Sequence, residues 1–164
     1  MNPEFEALFA EQLQDVYSAE KQILKALPKM VKAAKAPELK KAFAGHLDAT
    51  RTHVVRLEEI FKARGLSKGN KKCHGMAGLL EEGAEILASD LAPAVRDAAL
   101  ISAAQRVEHY EMAAYGCLRA FAKVLGDLDS AKTLQATLDE EGDADRTLTQ
   151  LGEFTINDRA ALAS

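Results

Sequence analysis

The sequence predicts an all-α protein: an antiparallel four-helix bundle built from two helical hairpins that a long crossover segment connects. Of its 164 residues, 48% are hydrophobic and only 5% aromatic, and the frequent Ala, Leu, Glu and Lys favour helices. Apolar residues recur at spacings of three and four along four long segments, whereas Val, Ile and Thr form no alternating runs. We therefore expect one domain, residues 1–164, with its own core.

Capping residues, prolines and glycines divide the chain into four long helices and one short helix. Asn2 followed by Pro3 is typical of a helix start, and we expect Pro28 to kink the first helix. Gly65 is typical of a helix end. The predicted helices span residues 3–34, 37–64, 75–88, 93–125 and 129–157.

The connections predict how these helices are arranged. Short turns join the first helix to the second and the third long helix to the fourth, so each pair should form an antiparallel hairpin. Between the pairs, a polar loop at 65–74 and the short helix suit a crossover along the bundle, as in ferritin-like folds. We expect Ser89 and Asp90 to cap the third long helix, and Asp127 or Asp129 to cap the fourth.

Composition also excludes several classes of protein. No apolar stretch is long enough to cross a membrane, and the first residues lack the features of a signal peptide. Cys73 and Cys117 are too few for a disulfide scaffold, so we expect a cytoplasmic protein. A net charge of −4, with acidic and basic residues interleaved, argues against nucleic-acid binding.

Every long helix has an acidic residue or a histidine near the middle of its apolar stripe. Burying carboxylates costs several kcal/mol each unless they are paired, protonated or bound to metal. Any single one could equally be a hydrogen-bonded core residue, but their coincidence in four helices favours a shared site. The candidate metal ligands are Glu20, His53, Glu108, Glu111 and Glu141, with His46 and Asp145 as additional candidates.

The spacing of these residues is a second signal. A separation of 33 residues connects Glu20 to His53 and also Glu108 to Glu141, which places each pair at a similar height in its hairpin. The two halves of the chain overlay without gaps at an offset of 91 or of 88, and the sequence does not choose between them. Carboxylates together with imidazoles suit iron, or alternatively manganese.

Other polar residues near these positions are interpreted differently. His109 should face a different neighbour from Glu108, and is expected to support the site or an interface rather than to bind metal. Tyr17, Tyr110 and Tyr115 could hydrogen-bond to ligands or simply pack. We expect Cys117 to be a small core residue, and no zinc site at Cys73 and His74 in the loop.

Four segments of the sequence resemble the YciF/YciE-like bacterial stress proteins: DVYSAEKQ at 15–22, HLDAT at 46–50, RDAALI at 96–101 and QRVEHYE at 105–111. That family belongs to the ferritin-like superfamily and is related in architecture to rubrerythrin. The resemblance covers nearly the whole chain. It implies a four-helix bundle with a crossover helix, a candidate di-iron centre, a homodimer and expression under stress.

The resemblance also implies roles for four acids. Glu20 is similar to the first-helix ligand, and Glu108 and Glu111 are similar to the Glu-x-x-Glu of the third rubrerythrin helix. Glu141 is similar to the fourth-helix glutamate. The cysteine-rich iron domain of rubrerythrin has no counterpart here.

This chain departs from the family pattern at two places. Ala49 follows Asp48 where the family usually has two glutamates. Thr50 and Ala144 stand where a Glu-x-x-His would be completed on the second and fourth helices. The departures imply a site for one metal ion, or for two that are held weakly.

Two functions follow as hypotheses. The first is a non-haem iron protein in which Glu20, His53, Glu111 and Glu141 bind metal, Glu108 bridges or switches, and Fe²⁺ or a peroxide reacts. Whether such a protein is an enzyme stays open. The second is a non-enzymatic structural or interaction bundle with a degenerate metal site. A DNA-protecting shell of the mini-ferritin kind is disfavoured by the acidic pI near 5.6.

Overall fold

The structure, a computed structural model, describes residues 2–163, and its regular elements are all helical. Its helices are α1 (Pro3–Ala33), α2 (Pro37–Ala63), α3 (His74–Ala88), α4 (Pro93–Val124), α5 (Leu128–Leu151), a π-helical turn (Gly152–Ile156) and α6 (Asn157–Ala161). The four long helices and the short crossover helix of the sequence prediction are thus confirmed.

The long helices form a ring in which α1 contacts α2 and α4, and α5 contacts α2 and α4. Three-residue turns connect α1 to α2 and α4 to α5, so both hairpins are antiparallel. The two hairpins are also antiparallel to each other: Phe5 near the start of α1 packs on Phe121 near the end of α4, with ring centroids 5.1 Å apart. At the same end of the bundle, Arg64 just after α2 donates to Asp127 just before α5 at 2.8 Å.

Helix α3 lies in the long connection between the hairpins and packs on α4 and α1. The buried Cys73 caps it, because its Sγ accepts from the backbone N–H of Met76 at 3.4 Å. The loop predicted for residues 65–74 therefore ends at this cap.

Two of the predicted helix starts are confirmed and one is wrong. The Asn2 side chain accepts from Glu4 N at 2.9 Å, and Asp127 accepts from Ser130 N at 3.0 Å. Ser89 and Asp90 do not cap α4, which begins at Pro93 after Ala92 with no side-chain cap. Proline at the first position provides this start, since it needs no hydrogen bond for a backbone N–H.

The C-terminal part differs from the single helix predicted to end at residue 157. Helix α5 ends at Leu151, a π-helical turn follows, and α6 then continues to Ala161. The wider turn leaves Gly152 and Ile156 buried against the bundle while Phe154 points into solvent. Apolar spacing does not reveal such a change of helix type, because the chain stays helical throughout.

The apolar core is divided into two clusters, one towards each end of the bundle. The cluster at the α1–α2 turn includes Ile23, Leu27, Met30, Leu39, Phe43, Leu100 and Leu148. The cluster at the α4–α5 turn includes Phe9, Leu13, Val16, Leu57, Phe61, Leu118 and Leu134. The middle of the bundle, between them, is where the sequence places its buried acids and histidines.

Cys117 is exposed, so its prediction as a core residue is wrong. The inward position belongs to the neighbouring Leu118, which is 1% exposed, and one residue further along a helix turns the side chain by about 100°. Both cysteines are free thiols. Within residues 2–163, no helix has the length and apolar character needed to cross a bilayer.

Candidate metal centre

A layer of charged side chains crosses the middle of the bundle between the two apolar clusters. Each long helix contributes to it where its apolar stripe is interrupted. The five principal candidate ligands are each at most 3% exposed: Glu20, His53, Glu108, Glu111 and Glu141. The structure therefore brings all five predicted residues into the interior of the bundle.

Atoms of the type that bind metals form two groups in this layer, and within each group they lie within 4.8 Å of one another. The groups are His46, Glu108, Glu111 and Glu141, and Glu20, His53 and Glu141. Glu141 belongs to both groups, so the arrangement offers two neighbouring positions that share one carboxylate. Glu108, for which a bridging role is hypothesised, belongs to one group only, and Glu141 is the residue common to both.

His53 is the buried centre of the second group. Its Nδ1 lies 3.3 Å from Glu20 Oε1 and 3.0 Å from Glu141 Oε1, but neither approach has the angle of a hydrogen bond. Burial disfavours the charged ring, yet the carboxylates of Glu141 and Glu20 outweigh it and raise the pKa of His53 to about 10. Without a metal the ring is therefore protonated at neutral pH.

The other nitrogen of His53 is held by a pair that the sequence analysis missed. His53 Nε2 lies 2.8 Å from Glu140 Oε2, and Arg56 donates to both oxygens of Glu140, at 2.7 and 2.9 Å. The Arg56 guanidinium lowers the pKa of Glu140 and keeps it ionised. A carboxylate at Nε2 keeps a proton there and directs the Nδ1 lone pair into the cluster, the usual outer support of a metal-binding histidine.

A signal for this pair was present in the sequence. Arg56 lies one turn after His53 on the same face of α2, and Glu140 directly precedes Glu141. Two adjacent acids on a helix cannot both point inward, since they are about 100° apart. Glu140, the acid that points outward, therefore lies where it contacts a cation of the neighbouring helix, Arg56.

His46, an additional candidate ligand, does belong to the cluster. Its Nε2 lies 3.4 Å from Glu108 Oε1 and 3.7 Å from Glu141 Oε2, and neither approach makes a hydrogen bond. Burial lowers the pKa of His46, so its ring is neutral at pH 7. A neutral imidazole with an unpartnered nitrogen is the form that binds metal.

The carboxylates of the layer are poorly satisfied by the protein. Both oxygens of Glu111, both of Glu141 and one each of Glu20 and Glu108 are buried without a hydrogen-bond partner. Burial, reinforced by the neighbouring carboxylates, raises the pKa of Glu108 and Glu111 well above the ordinary value. Burial also raises the pKa of Glu20, whereas contact with His53 outweighs burial at Glu141 and lowers its pKa.

Of the three tyrosines considered from sequence, one reaches the cluster. The hydroxyl of the fully buried Tyr115 donates to Glu20 Oε1, and burial raises its pKa, so the hydroxyl stays protonated. Tyr17 instead donates to Glu58 at 2.7 Å. Tyr110 donates to Asp15 at 2.9 Å, outside the cluster. Tyr115 thus fixes one oxygen of Glu20 and leaves the other free.

Asp145, an additional candidate ligand, lies outside the two groups of close-set atoms. It lies one turn beyond Glu141, and its Oδ1 accepts from Gln105 of α4 at 3.1 Å. The same oxygen lies 3.3 Å from Nε2 of His109, whose side chain is 66% exposed. His109 therefore lies at the edge of the bundle, as its position on the helix predicted.

The cluster passes a direct test of fit for a metal ion. Six carboxylate oxygens and two imidazole nitrogens are buried with no hydrogen-bond partner, and they converge in two groups of close-set atoms. Oxygen and imidazole donors without thiolate are the set that iron and manganese accept. Fold and site together define a four-helix bundle with a buried carboxylate and histidine cluster of metal-binding type.

The comparisons with known proteins agree with this class. The family described as "Domain of unknown function (DUF892)" matches residues 4–161, and the chain belongs to this family of YciF-like stress proteins. It is 42% identical to Protein YciF of Escherichia coli (strain K12) over 156 residues, which cover 94% of each chain.

Solved structures show the same bundle. The crystal structure of the E. coli stress protein YciF superposes with a TM-score of 0.90 over 93% of this chain and 97% of that one. YcfI of Rhodopseudomonas palustris, described as a candidate structural protein, is 39% identical, with a TM-score of 0.85 and coverage of 88% and 92%. A Xanthomonas campestris protein, at 18% identity and TM-score 0.75 over 96% and 99% of the two chains, shares the fold.

Proposed function

We propose that this protein is a non-haem iron protein of the ferritin-like class, with one or two ions bound in the charged layer of the bundle. The observation that carries the proposal is the convergence of six unpartnered carboxylate oxygens and two unpartnered imidazole nitrogens in the buried middle of the bundle. An inert bundle would place apolar residues there, because several buried carboxylates are destabilising without a cation. Manganese is the alternative metal.

The side chains divide into ligands and supports. His46, Glu108, Glu111 and Glu141 would hold one ion, and Glu20, His53 and Glu141 a second. When ionised, the carboxylates of Glu20, Glu108, Glu111 and Glu141 balance the positive charge of two divalent ions. With metal bound, His53 would be neutral: its Nδ1 would have released a proton to solvent, and its Nε2–H would stay hydrogen-bonded to Glu140.

Bound iron would supply electrons to a small oxidant, dioxygen or a peroxide, at open coordination positions. Tyr115 holds a protonated hydroxyl on Glu20, inside the cluster. Fe²⁺ itself is an alternative substrate. The missing Glu-x-x-His at Thr50 and Ala144 reduces the number of ligands and favours weak retention of the second ion.

A second candidate function is a structural or interaction bundle with a degenerate metal site. Two observations favour it: His53, as an imidazolium, already offsets part of the negative charge between Glu20 and Glu141, and the relative YcfI is described as a candidate structural protein. Under this alternative the charged layer would make the packing of the four long helices specific, and it would bind no metal.

Metal-dependent stability separates the two functions. The protein is stripped with a chelator, and its Tm is measured anaerobically with and without Fe²⁺, then with Mn²⁺. We expect the Tm to rise by about 5–10 °C at a hundredfold excess over Kd, because an ion that binds only the folded chain stabilises it. Glu141→Gln, which alters the shared ligand, should abolish the rise.

The matched control is Glu85→Gln, at an exposed glutamate of α3 that belongs to neither group of candidate ligands. It should show the same metal-dependent rise as the unmodified chain. Equal responses of Glu141→Gln and Glu85→Gln, or no response to either metal in any form, would overturn the metal function and favour the structural one.

Two further aspects of the proposal concern the setting of the protein. A homodimer is what the resemblance to the stress-protein family implies. Two free thiols, one buried and one exposed, are compatible with a reducing cytoplasm. A cytoplasmic homodimer is accordingly part of the proposal.

A further inference from the structure

A cavity of about 500 Å³ opens between α2 and α5 and leads to the charged layer. Along α2 it is lined from Glu38 to Ala49, a distance of about 16 Å at 1.5 Å per residue. Its size is in the range of cavities that hold small organic ligands. The cavity is therefore long enough for an extended molecule rather than only for water or a diatomic gas.

The inner end of the cavity is formed by the candidate metal ligands. His46 and Glu108 both line it, and both are nine-tenths or more buried. His46 Nε2 and Glu108 Oε2 have no hydrogen-bond partner. A molecule that fills the cavity thus ends beside unpartnered polar atoms.

The remaining wall is largely apolar and comes from all five major helices. The cavity is lined by side chains of the apolar cluster at the α1–α2 turn and by residues packed against it: Ile23, Leu27, Met30, Phe43, Leu80, Ala104, Val107, Leu148 and Leu151. Small residues on the two facing helices keep the space open, with Ala42, Gly45 and Ala49 on α2 and Ala144 on α5. A larger side chain at these positions would close it.

The charged residues around the cavity are mostly acidic. Glu38, Glu140 and Asp143 line it together with Glu108, whereas Lys41 is the single lysine or arginine. Arg159, Arg56 and Arg146 pair with the first three of these acids, so the repulsion that a carboxylate or sulfonate amphiphile meets comes chiefly from Glu108 at the inner end of the cavity. A neutral ligand meets apolar walls without that repulsion.

We infer that this cavity binds a neutral, largely apolar organic molecule and holds one end of it beside His46 and Glu108. The cavity would then give the metal centre its substrate, and this role as substrate rests on the proposed function. Binding itself does not depend on metal, because the walls that contact the molecule are formed by the folded chain alone.

Binding is tested on metal-free protein with a neutral fluorescent probe, N-phenyl-naphthylamine, whose emission rises in apolar surroundings. Decanol and decanoate, which share one chain but differ in charge, then compete for the site. We expect saturable binding of the probe and displacement by decanol at a concentration about tenfold lower than decanoate requires. The absence of saturable binding, or displacement by decanoate as effective as by decanol, would overturn the inference.

Two variants with larger side chains in the cavity, here called filled variants, test where the probe binds. Ala144→Phe and Ala49→Leu narrow the cavity from opposite walls, and each should weaken probe binding by about tenfold or more. Ala120→Phe adds a ring at an exposed alanine of α4 that does not line the cavity, and it should bind the probe as the unmodified chain does. Unchanged binding by folded filled variants contradicts the inference. If neither filled variant folds, the comparison of decanol with decanoate on the unmodified chain tests the inference by itself.

A second copy of the chain is the other conceivable occupant of this opening. In that case probe binding per chain would fall as protein concentration rises through the range of dimer formation, and the small-molecule inference would fail. Because the probe and metal titrations are separate, probe binding without metal stabilisation rejects the proposed function alone. Metal stabilisation without probe binding rejects the cavity inference alone.

Discussion

Glu111 shows most clearly why the charged layer calls for a cation. It is 1% exposed, and neither of its oxygens has a hydrogen-bond partner. Glu108, Glu20 and Glu141 surround it and add to the effect of burial on its pKa. In the metal-free protein this residue therefore opposes folding at neutral pH, since the unfolded chain would leave it ionised in water.

We expect Glu111→Gln to stabilise the metal-free protein, by about 2 kcal/mol at pH 8. Burial raises the folded-state pKa of Glu111, so its favourable contribution is complete below the unfolded pKa and is lost as pH rises through the folded value. The advantage of the variant should accordingly be small near pH 4 and grow towards pH 8. Urea unfolding in the presence of a chelator measures it at each pH.

Glu85→Gln is again the control, because that carboxylate is exposed. Its stability should follow that of the unmodified chain over the same pH range. A Glu111→Gln variant that is less stable than the unmodified chain at pH 8, or whose difference does not grow with pH, would contradict the account of this residue.

At the scale of the helices, the turn between α1 and α2 is fixed by a residue from a distant part of the chain. Asp97, in the second turn of α4, is 3% exposed and accepts from Lys35 N at 2.9 Å and from Ala36 N at 2.7 Å. Ala36 directly precedes α2 and offers no side-chain cap of its own. Asp97 therefore supplies the cap and joins the two hairpins at one end of the bundle.

Asp97→Ala should destabilise the protein by about 3 kcal/mol, because two backbone N–H groups lose a charged acceptor at a buried position. Thermal or urea unfolding measures this loss, and Asp90→Ala, at an exposed aspartate of the connection before α4, provides the control. Metal-dependent stabilisation should persist in Asp97→Ala, since the turn lies at the end of the bundle rather than in its middle. A loss below about 1 kcal/mol would show that water replaces the carboxylate.

Much of the fold could be predicted from sequence at this scale because its signals are local. Asn2, Pro3 and Gly65 indicate helix ends through their own backbone preferences. The cap of α4 was predicted at Ser89 and Asp90, but Pro93 started the helix three residues later without one. Asp97 gave no usable signal, since its partners are about sixty residues away in the sequence.

At the scale of the whole molecule, the bundle is two antiparallel hairpins whose apolar clusters flank one charged layer. The equal spacing of Glu20 from His53 and of Glu108 from Glu141 predicted that these residues share a height, and the structure places all four in the layer. What spacing could not provide is the direction of side chains at the edge of a stripe. Spacing therefore does not show that Asp145 accepts from Gln105 outside the two groups, or that Glu140 contacts His53.

The cavity could not be predicted from sequence either. In the sequence, Ala49 and Ala144 are only positions where ligands are lost. That both line one cavity depends on how α2 faces α5. Contacts between sequentially distant helices decide such features. Local propensity alone contains no information about them.

The central claim is that the charged layer binds metal, and anomalous X-ray scattering at the iron absorption edge tests it most directly. Crystals grown anaerobically with Fe²⁺ should show one or two anomalous peaks inside the bundle, within bonding distance of Glu141 and of His46 or His53. Equivalent crystals of Glu141→Gln should lose or weaken these peaks. Well-ordered crystals of the unmodified chain with no anomalous peak in the layer would contradict the account.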